Sequence, residues 1–103
     1  MDLDNLQTIR NEATNRFELQ VGEHLAFIDY KIGRSGDMYM VHTEVPKELG
    51  GQGVGKKVVV ESLAIAEKED FKIVPNCPYV RAYIKRHFDA YKHLVSDRYR
   101  WED

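Results

Sequence analysis

From position 16 the chain alternates apolar and polar residues, with Phe17, Leu19 and Val21 set against Arg16, Glu18 and Gln20. A period of two predicts a half-buried strand over "RFELQV". Gly22 and Glu23 make a two-residue hairpin signal, and "HLAFIDYKI" predicts a second strand beyond it. "GRSGD" supplies another turn. "MYMVHTEV", rich in aromatic and β-branched residues, predicts a third strand that Pro46 ends. Three strands joined by tight turns form an antiparallel meander.

The period then changes. After a glycine-dense loop, Val54, Val58, Leu63 and Ala66 recur at helical spacing, while Lys56, Lys57, Glu61, Glu67 and Lys68 take the wet face. This predicts a helix over 54–70. "FKIVPN" is a short fourth strand, and following a crossover helix it runs parallel to the third. "CPYVRAYIKRHF" predicts a second helix, with Cys77 at its cap, Pro78 at its first position, and Tyr79, Val80, Tyr83 and Ile84 turned inward. Residues 1–14 are polar and mixed, a loose terminus or short helix. Residues 89–103 are aromatic and charged, with room for one more helical turn. The expected fold is α/β (α+β): an antiparallel meander extended by one parallel β-α-β crossover, with a C-terminal helix.

Composition narrows the function classes. At 103 residues the chain is one small domain, 1–103, with 43% hydrophobic and 31% charged residues. A formal net charge of -2 gives no overall attraction to nucleic acid or anionic membrane. No apolar run reaches bilayer-spanning length, and the acidic start "MDLDNLQ" is no signal peptide. Cys77 is the single cysteine, which excludes an internal disulfide and suits a reducing cytoplasm. The four histidines show no metal-ligand spacing with it, so no metal is expected.

The stretch "GGQGVGK", Gly50 to Lys56, satisfies most of a Walker A loop. Lys57, however, stands where a Ser or Thr hydroxyl should reach Mg²⁺, and no later apolar strand ends in a metal-binding Asp. A dinucleotide fingerprint counted from Gly53 meets Val58 at its third glycine. A metal-free diphosphate site survives these objections. The first helical N–H groups, from about Gly51 to Gly55, have no intrahelical acceptors and sit at the positive end of the helix dipole. The competing explanation is that the glycines build only a turn and a tight helix–sheet contact.

These residues resemble the acetyl-CoA-dependent N-acetyltransferases of the GNAT superfamily, whose motif is [QR]-x-x-G-x-[GA]. Gly53 and Gly55 match it, and Gly50 stands where Gln or Arg is expected. The resemblance implies that backbone and side chains from Gly50 through Gly51, Gln52, Gly53, Val54, Gly55 and Lys56 hold the diphosphate. Gln52 and Lys56 are the side chains available to replace the missing one. It also implies that the backbone of Val45 pairs with the pantetheine arm. A second superfamily pattern, N-x-x-A-x-x-x-Y-x-x-x-G-F, is met at Asn76, Tyr83 and Phe88, with Tyr79 and His87 replacing its Ala and Gly. "HTEVP", "GGQGVG" and the lone Cys of "PNCPYV" are similar to a short, single-domain GNAT-like subfamily, over about residues 15–90.

Acetyl transfer needs a neutral amine, a donor for the oxyanion and an acid for the departing thiolate. Cys77 begins a helix, the setting that favours a nucleophilic thiolate, although a free cysteine is more often a packing residue. The resemblance implies a role for it near the acetyl group, with an acetyl-cysteine as one route. His42 and Glu44 share one face of the third strand and can relay a proton, and Thr43 points to the other. Each is equally well a solvated or half-buried strand residue. Tyr83 matches the position that protonates the thiolate, and it is also one helical turn past Tyr79. Larger relatives place helices after the first strand to wall the amine cleft. Val21-Gly22-Glu23 leaves no space for them, so the acceptor side is expected to be open, which favours a macromolecular amine, a wall supplied by a partner, or no acceptor at all.

Two other readings compete. A CoA-binding regulatory module would keep the loop and not need Cys77. Nucleic acid could meet Arg81, Lys85, Arg86, Lys92, Arg98 and Arg100 interleaved with Tyr83, Phe88, Tyr91, Tyr99 and Trp101. Tyr83 and Phe88 read as core residues, and Asp89, Asp97, Glu102 and Asp103 dilute the charge. A solvated face is favoured there, with some cations meeting the 3′-phosphate of CoA.

Overall fold

The structure is a computed structural model and describes residues 3–101, so Glu102 and Asp103 lie outside the described residues. Its centre is a five-stranded sheet in sequential order. Strands β1 (Ile9–Asn11), β2 (Arg16–Val21), β3 (His24–Ile32) and β4 (Met38–Glu44) are antiparallel neighbours, and β5 (Ile73–Pro75) lies parallel to β4. The meander and its parallel extension are those the periodicity predicts.

The first strand is not. Residues 1–14 read as a loose terminus or short helix, yet a single 3-10 turn (Leu3–Asn5) is followed by β1 at the sheet edge. Its three residues bury nothing fully, and Ile9 is 56% exposed, so no apolar period could announce it. Local turn chemistry pins it instead: Asn11 Oδ1 accepts from the Ala13 N–H at 3.0 Å, and Asn15 adopts φ 56.

One face of the sheet is covered. Phe17, Leu19, Val21, Ala26, Ile28, Tyr30, Met38 and Met40 point to it, and all are buried. Helix α1 (Val54–Lys68) packs over β1, β2 and β3, and helix α2 (Pro78–Arg86) over β4 and β5. The other face carries mostly polar and half-buried side chains. There the Arg16 guanidinium lies 3.8 Å from the Phe27 ring centre and bonds Asp29 at 2.8 Å.

Helix α1 stops two residues before the expected Asp70 because Asp70 takes a left-handed φ of 66. The Asp70 N–H then donates to the Glu67 carbonyl and the Phe71 N–H to the Ala66 carbonyl, the paired bonds of a Schellman end. Helix α2 begins as expected, with Cys77 at the cap and Pro78 first. Val80 and Ile84 are fully buried and Tyr83 half-buried, but Tyr79 is 49% exposed and corrects the expectation that it turns inward. Phe88 is also more exposed than a core residue, its ring edge-on to Trp101, which is edge-on in turn to Tyr99.

The tail holds more structure than one turn. Helix α3 (Phe88–Tyr91) and a 3-10 turn (Lys92–Leu94) bury Leu94, and Val95 then bridges to Ile73. The Ser96 hydroxyl donates to the buried Asp37 carboxylate at 2.6 Å, and Arg98 approaches the same oxygen at 3.3 Å.

Glu61 ties the N-terminal segment to α1. Its carboxylate accepts from the Thr8 N–H and from Lys57, each at 2.9 Å. Burial pushes the Glu61 pKa up, but the bonds from Lys57 and Thr8 outweigh it and hold the pKa below its ordinary 4.5. A depressed carboxylate stabilises the fold above its unfolded value and loses that stabilisation as pH falls through the folded one. Glu61→Gln is therefore expected to cost about 1 kcal/mol near neutral pH. The gap to the parent should close as pH drops below 4.5 in denaturant titrations, and a gap constant with pH would refute the assignment.

Candidate active site

The sheet opens at one point. Strands β4 and β5 pair only through Met38↔Ile73, Tyr39↔Val74 and Met40↔Pro75. The Cys77 N–H closes the ladder on the Met40 carbonyl at 2.8 Å. Beyond that bond β5 becomes α2, and β4 runs on to Glu44 paired to β3 alone. Alternate peptide groups of this part of β4 therefore face an unpaired edge.

A bulge begins at the same place. Tyr30 faces Met40 but Asp29 faces His42, so Val41 is an extra residue in β4. Strict alternation from Met38 and Met40 would carry His42 and Glu44 onto the covered face. The extra residue reverses the phase, so Thr43, opposite Ile28, points inward. Its hydroxyl lies 3.1 Å from Cys77 Sγ, and Cys77 is only 3% exposed. His42 and Glu44 share the open face, with Nε2 and Oε1 3.0 Å apart and both side chains more than half exposed. The structure thus brings Thr43 to Cys77, and not His42 or Glu44. Among sequence signals, nothing marks a bulge at Val41, and Thr43 is missed as a partner for that reason.

At the far end of the open edge, Val45 leads into Pro46 and a 3-10 turn (Lys47–Leu49) whose Leu49 is buried and anchors the loop. Gly51 and Gly53 adopt φ +74 and +79, conformations that side chains disfavour. Nothing lies within 4 Å of where their Cβ atoms would be, so the outer side of the loop is open. The first helical bond runs from the Lys57 N–H to the Gly53 carbonyl at 3.0 Å. The N–H groups of Val54, Gly55 and Lys56 are therefore left without intrahelical acceptors, slightly further along than the sequence suggested. Gly55 serves packing: a Cβ there would meet the Tyr79 hydroxyl and the Val45 side chain. Gly50 has an ordinary φ of -62, and Gln52 bonds the Glu48 carbonyl at 3.3 Å.

Lys56 lines a cavity of about 310 Å³ between the start of α1 and α2, with Tyr79, Ala82, Tyr83, Arg86 and His87. The i, i+3, i+4, i+7 run from Tyr79 to Arg86 makes this one helix stripe. The Tyr83 ring packs 4.5 Å from His87 and 5.7 Å from Tyr91. Burial, then the Tyr83 hydroxyl, pushes the Tyr91 phenol above its ordinary value. Tyr83 thus sits with Lys56 and Arg86. Asn76 is exposed and opens instead into a larger cavity on the other side, beside Tyr39 and Arg81. Among the described residues no group of three or more His, Cys, Asp or Glu side chains could hold a metal ion, and no helix is long and apolar enough to cross a membrane.

An open-faced glycine cradle at a helix start, joined by a free strand edge to a cysteine at a second helix start, suits a ligand with a diphosphate at one end and a reactive group at the other. Comparison with known proteins gives the family. Residues 16–94 match the family model of GCN5-related N-acetyl-transferase. The solution structure of a GCN5-like protein from Staphylococcus aureus superposes with a TM-score of 0.67 at 31% identity, covering 89% of each chain. Both matches span most of the chain, and the chain belongs to the GCN5-related N-acetyltransferases.

Proposed function

We propose that this acetyltransferase holds acetyl-CoA along the free edge of β4 and passes its acetyl group through Cys77 to a macromolecular amine arriving from the open face. The observation that carries this is the parting of β4 and β5 at the Met40–Cys77 bond, with the thiol at the vertex and the glycine cradle at the far end. The N–H groups of Val54, Gly55 and Lys56, with the Lys56 ammonium, neutralise the diphosphate. Arg86, in the cavity beside Lys56, meets the remaining phosphate. Acetyl-CoA supplies the acetyl group as an activated thioester.

The chain's own groups account for the protons. Cys77 sulfur attacks the thioester carbonyl, the bond to the CoA sulfur breaks, and the thiol proton is transferred to that sulfur. The acceptor ammonium loses one proton to the His42–Glu44 pair on the open face. Its lone pair attacks acetyl-cysteine, the carbon–sulfur bond breaks, and the second nitrogen proton returns to Cys77. Asn76, next in the chain to Cys77, lines the open-face cavity.

A second reading, a CoA-binding module without turnover, is favoured by the burial of the thiol and the placing of His42 and Glu44 on the opposite face. Mass spectrometry after mixing with acetyl-CoA separates the two. The relay predicts an acetyl-sized gain on Cys77 that Cys77→Ala abolishes, with transfer falling about a hundredfold. Unchanged transfer by Cys77→Ala would leave direct attack by the amine, and no transfer by the parent to any amine would leave the module.

The cradle has its own test. A Cβ at Gly53 meets no protein atom but forces a strained φ and fills the open side. Gly53→Ala is expected to weaken acetyl-CoA binding about tenfold in a calorimetric titration, at a stability cost of about 1 kcal/mol. Equal affinity in parent and variant would place the diphosphate elsewhere.

A further inference from the structure

The larger cavity, about 630 Å³, is not used by the donor site just described. Tyr39 and Val74, a cross-strand pair on the open face, form its floor, and Asn76, Arg81, Arg98, Tyr99 and Arg100 its walls. Three arginines converge here in a chain of net charge -2, and among the described residues no carboxylate lines the cavity. Among the described residues, Arg81 has no carboxylate partner, Arg100 bonds only the Asp97 carbonyl, and Arg98 alone is paired, to Asp37. The described lining is therefore cationic, and guanidinium forks with tyrosine hydroxyls are suited to carboxylates.

Its location gives this charge a use. Asn76 precedes Cys77, and the Arg81 N–H donates to the Cys77 carbonyl at 2.9 Å, so the cavity wall is continuous with the vertex of the strand split. Further along the same face of β4 lie His42 and Glu44. An acceptor crossing this face meets a basic cavity on one side of the split and a carboxylate on the other.

We propose that the cavity seats acidic side chains next to the acceptor amine, so that the preferred substrate is an acidic peptide segment. This rests on the acyl-transfer reading for the amine, but the binding itself does not require turnover. A shallow open face suits an extended peptide, and the His42–Glu44 carboxylate disfavours a uniformly anionic polymer close to the split.

The test uses the full chain loaded with CoA and three fluorescent lysine peptides, flanked by Asp and Glu, by Ser and Gly, or by Arg. Anisotropy should show the acidic peptide binding at least about tenfold tighter than the neutral one, with the preference shrinking in salt. Arg100→Gln, at an exposed position, and Arg81→Gln should each erase most of that preference and leave acetyl-CoA affinity unchanged. Equal binding of acidic and neutral peptides, or arginine variants that keep the preference, overturns the proposal. So does tighter binding of mixed-sequence RNA than of the acidic peptide. Acidic-peptide binding without acetylation of any amine would sustain the cavity assignment and sink the transferase mechanism, so the two fail separately.

Discussion

The arrangement turns on one hydrogen bond, from the Cys77 N–H to the Met40 carbonyl. It is the last rung between the two parallel strands, and the residue after its acceptor is the bulged Val41. A bulge bends its strand and increases the local twist, so β4 turns away from β5 just where β5 gives way to helix. The rung fixes the vertex and the bulge opens the angle. Neither alone would make a cleft: without the rung Cys77 has no fixed place, and without the bulge the two strands could continue in register.

The same extra residue sorts the chemistry between the faces. A strand's side chains alternate with period two, so one inserted residue inverts everything beyond it. Thr43 goes in to meet the thiol, and His42 and Glu44 go out to the uncovered face. Burying a His–Glu pair against Ile28 and the helices would carry a large desolvation penalty, whereas a threonine hydroxyl is satisfied by the cysteine beside it. Burial energetics and site geometry thus favour the same register.

Much of this was legible in the sequence, for identifiable physical reasons. Phe17, Leu19 and Val21, and Val54, Val58, Leu63 and Ala66, lie on covered surfaces, so their periods of two and 3.6 are written by burial. Gly51 and Gly53 were readable as a special turn before a helix because left-handed backbone selects for glycine. Strand β1 was not readable, since an edge strand with Ile9 exposed is held by hydrogen bonds that any residue can make. The Val41 bulge was not readable either, because it arises from pairing with β3, and pairing is a property of two segments. Tyr79 was misplaced because helical period identifies the apolar stripe but not its edge. The ring sits at that edge, over Gly55, and is half in water.

A two-layer domain of this size leaves one sheet face without a helix over it. Here α1 and α2 both cover the side that carries Phe17, Ile28 and Met40. The tail beyond α3 builds onto the sheet edge. Val95 extends the sheet past β5, and Ser96 and Arg98 fasten onto the buried Asp37 carboxylate. That anchor holds Arg98, Tyr99 and Arg100 against the edge of the open face, where they wall the second cavity. The buried Asp37 is therefore at once a structural clasp, keeping the tail from fraying, and the reason a basic surface stands next to the strand split.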